Sequence, residues 1–316
     1  MNEYSTRLYI CAVDPLGSPS LPFSPTSCYT NKTKLYEEHV CIPIEEYMAT
    51  GNLTFVGLGL YDAQDLSLKA LETIQKADAV YAEFYTAGLA GAKESDLEQC
   101  IGKPITALTR HETEQGTQIL TEAQTKKVIL LTCGDPMIAT THVDLRLRAH
   151  KQGIPTSIVH GSSIVTAVPG LLGLQQYKFG RTTTLAYPEK DYFPTSPYMI
   201  IKDNLSLGLH TLALLDIQEE RKRYMTINEG LDLLLRMEDT HRNALFKDET
   251  IVCGVARAGS PVPSVKADCL SRLRLHEFGP PLHTIVVPGR LHFMEIEALK
   301  VLAGLPEEVG KKLQKL

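Results

Sequence analysis

Three short segments of this 316-residue chain combine glycine with small or polar side chains, as loops that approach a small ligand do. They are GLGLYD at 57–62, TCGDPM at 132–137 and HGSSI at 160–164. Each follows a short apolar run that predicts a buried strand. Ligands of open α/β sheets bind outside the carboxyl ends of the strands, so all three are candidate binding loops.

In the first loop, Gly57 and Gly59 would let the backbone approach a ligand closely. The dinucleotide fingerprint GxGxxG needs a third glycine, but position 62 is Asp62. Glu83 ends the next predicted strand, where a dinucleotide fold places its ribose-binding acid. The pattern leaves two interpretations open: a nucleotide-type ligand, or a tight turn between strand and helix.

In the second loop, Gly-Asp-Pro predicts a sharp turn that points the carboxylate of Asp135 outward. That carboxylate could accept hydrogen bonds from a ribose or an amine, or simply cap an ordinary turn. In the third loop, Ser162 or Ser163 could cap the following helix. We interpret Cys133 as a small buried hydrophobic residue.

The sequence lacks the motifs of several other enzyme classes. The sequence has no GxSxG elbow and no Walker lysine motif, and HETEQ at 111–115 departs from HExxH at its last position. None of the seven cysteines is spaced as CxxC, and no Cys/His group has zinc-ligand spacing. We therefore predict reduced thiols and no metal site.

Alternating strands and helices must position the loops. Apolar runs predict strands at 53–57, 79–83, 128–132, 156–159, 182–186, 211–215, 250–256 and 284–287. Helical spacing predicts helices at 65–74, 142–150 and 226–237, the first with Asp65 as its N-cap. This alternation implies βαβ crossovers and a parallel sheet.

The first fifty residues differ from the rest, with prolines at positions 15, 19, 22 and 25. Such a segment predicts an extended arm or disorder. The next methionine after Met1 is Met48, just before the first strand. We therefore expect residues 1–50 to be an extension that is disordered or not native, followed by α/β domains at 51–160 and 161–316.

The composition is that of an ordinary globular chain, with 43% hydrophobic and 22% charged residues. A net charge of −5 argues against a general nucleic-acid binder. The sequence has no apolar run of membrane-spanning length and no secretory start, so we expect a cytoplasmic protein without membrane or nucleic-acid partners.

From Leu53 to about Val309, the chain resembles the diphthine synthase family, in its archaeal-type branch. Blocks in the same order carry the resemblance, and the first fifty residues have no counterpart. Besides GLGLYD, they include AEFYT at 82–86, GDPMIATTH at 134–142, YKFG at 177–180, GLHTLALLDI at 208–217, ARAGS at 256–260 and VPGRLHFMEIEAL at 287–299.

The resemblance implies two α/β domains of the tetrapyrrole methylase type. S-adenosylmethionine would lie in the cleft between them, usually within a homodimer. By position, the family's cofactor contacts would fall on Leu60, Asp135, Ile138, Ser163, Ile164, Leu214, Ala256 and His283.

The resemblance also implies a substrate and a reaction in diphthamide biosynthesis. The substrate would be the histidine of translation elongation factor 2 that carries a 3-amino-3-carboxypropyl group. Three methyl groups added to its amine would give diphthine, with S-adenosylhomocysteine as the other product. We assign no catalytic acid or base. Tyr187 and Phe193 are candidates to hold the cationic product by cation–π attraction, and core packing is their other role.

Three alternatives stay open from the sequence. A methyltransferase of the same fold could act on a tetrapyrrole, although the blocks beyond residue 175 favour the protein-modifying branch. Gly57, Gly59 and Glu83 could belong to a dinucleotide-dependent oxidoreductase, against which the missing third glycine weighs. The complete cofactor-loop blocks disfavour a non-catalytic binding module.

Overall fold

The computed structural model describes residues 50–314 except residues 86 and 191, so nearly all of the predicted extension lies outside the described residues. The first strands are β1 (Asn52–Gly57), β2 (Ala79–Glu83), β3 (Thr106–Leu108), β4 (Lys127–Thr132) and β5 (Thr156–Val159). They form one sheet in the order β3-β2-β4-β1-β5, and every pairing is parallel. The parallel sheet predicted for this part is confirmed.

Helices cover both faces of the first sheet. They are α1 (Leu68–Gln75), α2 (Glu94–Ile101), α3 (Arg110–Gln115), α4 (Thr117–Ala123) and α5 (His142–Lys151). Side chains alternate along β1, so Val56 packs with α1 and α2, whereas Leu53 and Phe55 pack with α4 and α5. Both faces are thus buried, and all the carboxyl ends of the strands point to one edge.

Helix α1 begins later than predicted. Its N-cap is Ser67, whose hydroxyl accepts a hydrogen bond from the Ala70 N–H at 3.1 Å. Asp65 instead ends a short 3₁₀ turn, Ala63–Asp65. The N-cap prediction for Asp65 was wrong because its carboxylate faces back toward the loop after β1.

The second half contains a mixed sheet. Its elements are α6 (Ile164–Leu172), β6 (Thr183–Leu185), α7 (Ser196–Ser206), β7 (Thr211–Leu215), β8 (Ile217–Gln218), β9 (Arg223–Tyr224), α8 (Ile227–His241), β10 (Ile251–Ala256), β11 (Ser264–Cys269), α9 (Leu270–Leu273), β12 (His283–Val287), α10 (Phe293–Ala303) and α11 (Glu307–Leu313). The sheet order is β11-β10-β12-β7-β6, and only β6 and β7 pair in parallel.

Two helical layers also enclose the second sheet. Helices α7 and α8 pack on one face, with Tyr198 and Leu231 fully buried. Helices α6 and α10 pack on the other face, through Val168 and Leu299. The chain passes from the first sheet to the second between β5 and α6. The predicted boundary near residue 160 lies there, although the division into domains remains a prediction.

A buried acid organises the second half. Glu295, in the first turn of α10, is 1% exposed and accepts hydrogen bonds from the N–H groups of Gln175 and His292. Lys178 and His210 also bond to its carboxylate. Burial raises the pKa of this carboxyl, but the hydrogen bonds outweigh burial and lower the pKa to about 2.

Candidate active site

A cavity of about 340 Å³ lies where the strand ends of the two sheets meet. The first half contributes the loops after β1, β2, β4 and β5. The second half contributes the end of β7, the chain after β10 and the start of β12. Its lining includes residues 59–60, 133–135, 163–164, 214–217, 257–258 and 282–284. All three loops singled out in the sequence therefore reach one site.

The loop after β1 is held by its own backbone and by one carboxylate. Gly59 and Gly134 exchange two backbone hydrogen bonds, of 3.3 and 2.7 Å, and both have positive φ. Asp65 accepts hydrogen bonds from the N–H groups of Leu60 at 3.0 Å and Tyr61 at 2.7 Å. This carboxylate fixes the loop that presents Leu60 to the cavity.

Position 62 needs no glycine in this arrangement. Asp62 has extended backbone angles, and its side chain accepts a hydrogen bond from the Gln64 N–H at 2.8 Å. It is the N-cap of the 3₁₀ turn, a role that the side chain of an aspartate fills and a glycine would not. The missing third glycine of a dinucleotide fingerprint thus has a local structural cause.

Asp135 lies on the cavity wall and is 7% exposed. Its Oδ1 accepts a hydrogen bond from the Met137 N–H at 2.9 Å, which closes the turn. Its Oδ2 lies 2.7 Å from Nδ1 of His160, in the third loop. The carboxylate therefore joins the second and third loops besides facing the cavity.

Ser163 is the N-cap of α6, accepting a hydrogen bond from the Val165 N–H at 3.3 Å, and Ile164 follows as the first helical residue. Both line the cavity, as do Leu60, Ile138, Leu214 and His283. Ala256 does not. Its side chain is fully buried on the α8 face of β10, and the neighbouring Val255 and Arg257 line the cavity instead.

The His283 ring is held at both nitrogens. Nδ1 accepts a hydrogen bond from the Ile227 N–H at 3.2 Å, so the proton is on Nε2, which lies 3.1 Å from the carbonyl oxygens of Gly279 and Pro280. Burial lowers the pKa of His283 despite these carbonyls. The ring is thus a neutral part of the cavity wall.

Glu83 does not line the cavity, where the dinucleotide-binding alternative requires a ribose-binding acid. Its side chain is fully buried and is not among the cavity-lining residues. Its Oε1 lies 3.7 Å from Nε2 of His142, a histidine whose pKa is lowered by burial. In the described part of the chain, no group of three or more His, Cys, Asp or Glu side chains could hold a metal ion.

The comparisons with known proteins agree with this geometry. Residues 52–266 match the family described as Tetrapyrrole (Corrin/Porphyrin) Methylases. A diphthine synthase of Methanocella arvoryzae is 52% identical over 255 residues, which cover 80% of this chain and 98% of the relative. That of Methanosphaera stadtmanae is 46% identical over 259 residues, covering 82% and 98%. The chain belongs to the diphthine synthase family.

Solved structures support the same assignment. A crystal structure of diphthine synthase has a TM-score of 0.75 at 41% identity, covering 82% of this chain and 98% of that one. A putative diphthine synthase from Entamoeba histolytica has a TM-score of 0.73 at 34% identity, covering 80% and 99%. The predicted tetrapyrrole methylase fold is confirmed, and the chain is a methyltransferase of the diphthine synthase family.

Among the cavity residues of this diphthine synthase family member that sequence reasoning missed, four have a charged or phenolic side chain. They are Tyr85, Arg110, Asp216 and Arg257. Burial and the charge of Glu83 raise the pKa of Tyr85 to about 12, so its phenol stays protonated. Asp216 and Arg257 each directly follow a predicted strand, and this position could have signalled a site residue.

The two aromatic residues considered for the cationic product lie elsewhere. An arginine already covers each ring: Arg223 lies 3.6 Å from the ring centroid of Tyr187, and Arg236 lies 4.7 Å from that of Phe193. Neither aromatic residue lines the cavity. Core packing, the other role considered for them, fits both: Tyr187 belongs to a core cluster, and Phe193 packs against it.

No helix within the described ranges is long and apolar enough to cross a membrane.

Proposed function

We propose that this chain transfers methyl groups from S-adenosylmethionine to the amine of the 3-amino-3-carboxypropyl group on the modified histidine of translation elongation factor 2. One observation carries the proposal: a single cavity gathers seven of the eight residues expected to contact the cofactor. Membership of the diphthine synthase family supports the choice of substrate.

The residues of the cavity fit a compact cofactor with an adenine, a ribose and a sulfonium. Its volume of about 340 Å³ is within the range of small-molecule sites, about 300–1,000 Å³. Gly59 and Gly134 keep the backbone free of side chains at the wall. Apolar contacts would come from Leu60, Ile138, Ile164 and Leu214, and polar contacts from Asp135 and Ser163.

The reaction needs orientation more than acid–base chemistry. When bound, S-adenosylmethionine supplies the methyl group: the amine lone pair forms the N–C bond while the C–S bond breaks toward sulfur, leaving S-adenosylhomocysteine. Holding the two reactants in line can lower the barrier by about 7–11 kcal/mol. The apolar wall favours the neutral amine, which is the nucleophile. Water would accept the proton that each new N-methyl cation releases before the next transfer.

Cys133 shows how the site avoids a competing nucleophile. Cys133 is one of the cavity-lining residues, and its side chain belongs to a buried core cluster of the first sheet. Burial and then the nearby carboxylates of Glu83 and Glu219 raise the pKa of its thiol. A thiol attacks a methyl donor as its thiolate. The protonated Cys133 side chain therefore does not compete with the substrate amine for methyl groups.

Transfer to the factor tests the proposal. The protein is incubated with labelled S-adenosylmethionine and elongation factor 2 carrying the aminocarboxypropyl histidine, and separately with a porphyrin precursor. We expect three methyl equivalents on the factor and none on the precursor. Transfer to the precursor alone would replace this proposal with the tetrapyrrole alternative.

We also propose that the enzyme works as a homodimer in the cytoplasm, where its substrate acts in translation. Exposed apolar side chains on α10 support a contact between copies, because Phe293 is 62% exposed and Val301 is 72% exposed. Light scattering should give twice the chain mass at micromolar concentration. A single-chain mass at that concentration contradicts this part of the proposal.

A further inference from the structure

One cationic residue at the cavity has no anionic partner among the described residues. Arg110, the first residue of α3, lines the cavity and is exposed. Its guanidinium carbon lies 5.2 Å from the ring centroid of Tyr85. It makes no ion pair or hydrogen bond with any described residue. By contrast, Arg257 donates from Nη1 to the carbonyl oxygens of Phe278 and Pro280, so its charge holds a loop.

One anionic residue of the same cavity is also without an opposite charge. Asp216 follows β7, and its Oδ2 accepts hydrogen bonds from the Tyr187 N–H at 3.0 Å and the Gln218 amide at 3.2 Å. No described residue donates to its Oδ1, and no described cation lies within ion-pair distance. The two hydrogen bonds fix the direction of the carboxylate and leave one oxygen for a ligand.

Two unpaired charges of opposite sign on one cavity fit a zwitterion. The 3-amino-3-carboxypropyl group is such a zwitterion, and both the methionyl tail of the methyl donor and the modified histidine carry one. We propose that Arg110 binds the carboxylate and Asp216 the amine of the histidine side chain. This inference rests on the proposed function and extends it to the recognition of the acceptor.

Exposure favours the acceptor over the donor. Arg110 is exposed to solvent. A residue that binds a side chain of another protein must be exposed in this way. The polar residues expected to contact the cofactor are enclosed: Asp135 is 7% exposed and Ser163 is 6% exposed. A guanidinium binds a carboxylate through two parallel hydrogen bonds, which would also fix the orientation of the aminocarboxypropyl chain.

Asp216 would act on the attacking nitrogen in two ways. Its free oxygen can accept an N–H of the neutral amine, which directs the lone pair toward the methyl group. Its charge stabilises the positive charge that grows on nitrogen during transfer. The same charge raises the pKa of the amine, because a neighbouring anion favours the ammonium form. Asp216→Asn should therefore shift the pH dependence of kcat, whereas a variant that only lost packing would not shift it.

The first test uses Arg110→Met, with Arg181→Met as control, because Arg181 is exposed and lies outside the cavity. We expect the KM for elongation factor 2 carrying the modified histidine to rise about 10- to 100-fold in Arg110→Met, the size expected for a lost charged hydrogen bond. The Kd for S-adenosylmethionine, from calorimetry, should stay within about twofold of wild type. Arg110→Lys should recover part of the loss.

The second test uses Asp216→Asn, with thermal melts to verify folding. We expect kcat to fall about 10- to 100-fold and the acidic limb of the kcat profile to move to lower pH. An equal loss of S-adenosylmethionine affinity in either variant assigns the charges to the donor tail and overturns the inference. Unchanged acceptor kinetics in both variants overturn it too. If the wild-type enzyme transfers nothing to the factor, the proposed function fails instead.

Discussion

At the residue scale, the carboxylate of Asp65 fixes one of the loops that line the candidate site. It accepts two backbone hydrogen bonds from the loop that presents Leu60. The side chain of Asp65 also packs directly against Gly59, where an added Cβ would collide with it. The loop and this acid are thus one unit, although the acid does not line the cavity.

Asp65→Ala should therefore impair cofactor binding while leaving the fold intact. The change removes the acceptor for the N–H groups of Leu60 and Tyr61, so the loop loses its fixed position. We expect the Kd for S-adenosylmethionine to rise about tenfold in titration calorimetry.

Asp62→Ala is the matched control, because Asp62 makes its hydrogen bond within the 3₁₀ turn and lies outside the cavity. Its affinity should stay near wild type. Equal losses in the two variants, or none in Asp65→Ala, would contradict the anchoring role of Asp65.

The local sequence pattern predicted some of the residues of the candidate site. Asp135 and Ser163 were suggested by their own loops, since each follows a strand and could cap a turn or helix. The sequence did not suggest Arg110 or Tyr85, because no neighbouring residue indicates that their side chains face a cavity. Their placement depends on how the loop after β2 and helix α3 pack at the edge of the sheet, which a local sequence pattern does not contain.

At the element scale, the buried strands were the most predictable features. The ranges 79–83, 156–159 and 211–215 coincide with the observed strands. Four strands were missed: β3 and β11 lie at the edges of the two five-stranded sheets, and the two-residue strands β8 and β9 form a separate two-stranded sheet. Only one of the three residues of β3 is buried, so the apolar signal there was weak. The antiparallel pairings of the second sheet were also not predicted, because apolar runs carry no strand direction.

Helix α8 offers a clean test of how an element supports the site. Thr226 and Glu229 form a capping box, and His283 accepts the hydrogen bond from the Ile227 N–H. Thr226→Ala should reduce the free energy of unfolding by about 1 kcal/mol and the Tm by about 2–4 °C in a thermal melt.

Thr240→Ala, in the last turn of the same helix, is the matched control. Its hydroxyl is exposed and bonds only to the Arg236 carbonyl, so we expect almost no change in Tm. A Tm loss in Thr240→Ala as large as that in Thr226→Ala would show that the cap has no special role.

At the scale of the whole molecule, the cavity depends on both sheets being correctly placed. Its lining residues range from Gly59 to Thr284 and come from the strands and loops of both sheets. The spacing of these residues along the sequence does not specify how close together they lie in the fold. The family resemblance implied which residues would contact a cofactor, and all of these expected contacts except Ala256 line the cavity.

The buried acid Glu295 should make stability depend on pH. Its folded pKa of about 2 is below the ordinary value of 4.5, so its stabilisation is complete above about pH 4.5 and is lost as the pH falls toward 2. The shift corresponds to about 3 kcal/mol. Denaturant unfolding of Glu295→Gln should show a lower stability at pH 7 and a flatter dependence between pH 5 and 3.

Glu297→Gln is the control, because this acid is exposed and pairs only with Lys300. Its stability should follow the wild-type pH curve. If Glu295→Gln also follows that curve, the hydrogen bonds around Glu295 do not depress its pKa in solution.

The most direct test of the central claim is the mass of elongation factor 2 after reaction. The factor carrying the aminocarboxypropyl histidine is incubated with this protein and S-adenosylmethionine, and the modified peptide is analysed by tandem mass spectrometry. We predict three added methyl groups, all on the amine of that side chain. A peptide that gains no methyl group, or gains it elsewhere, would contradict the account.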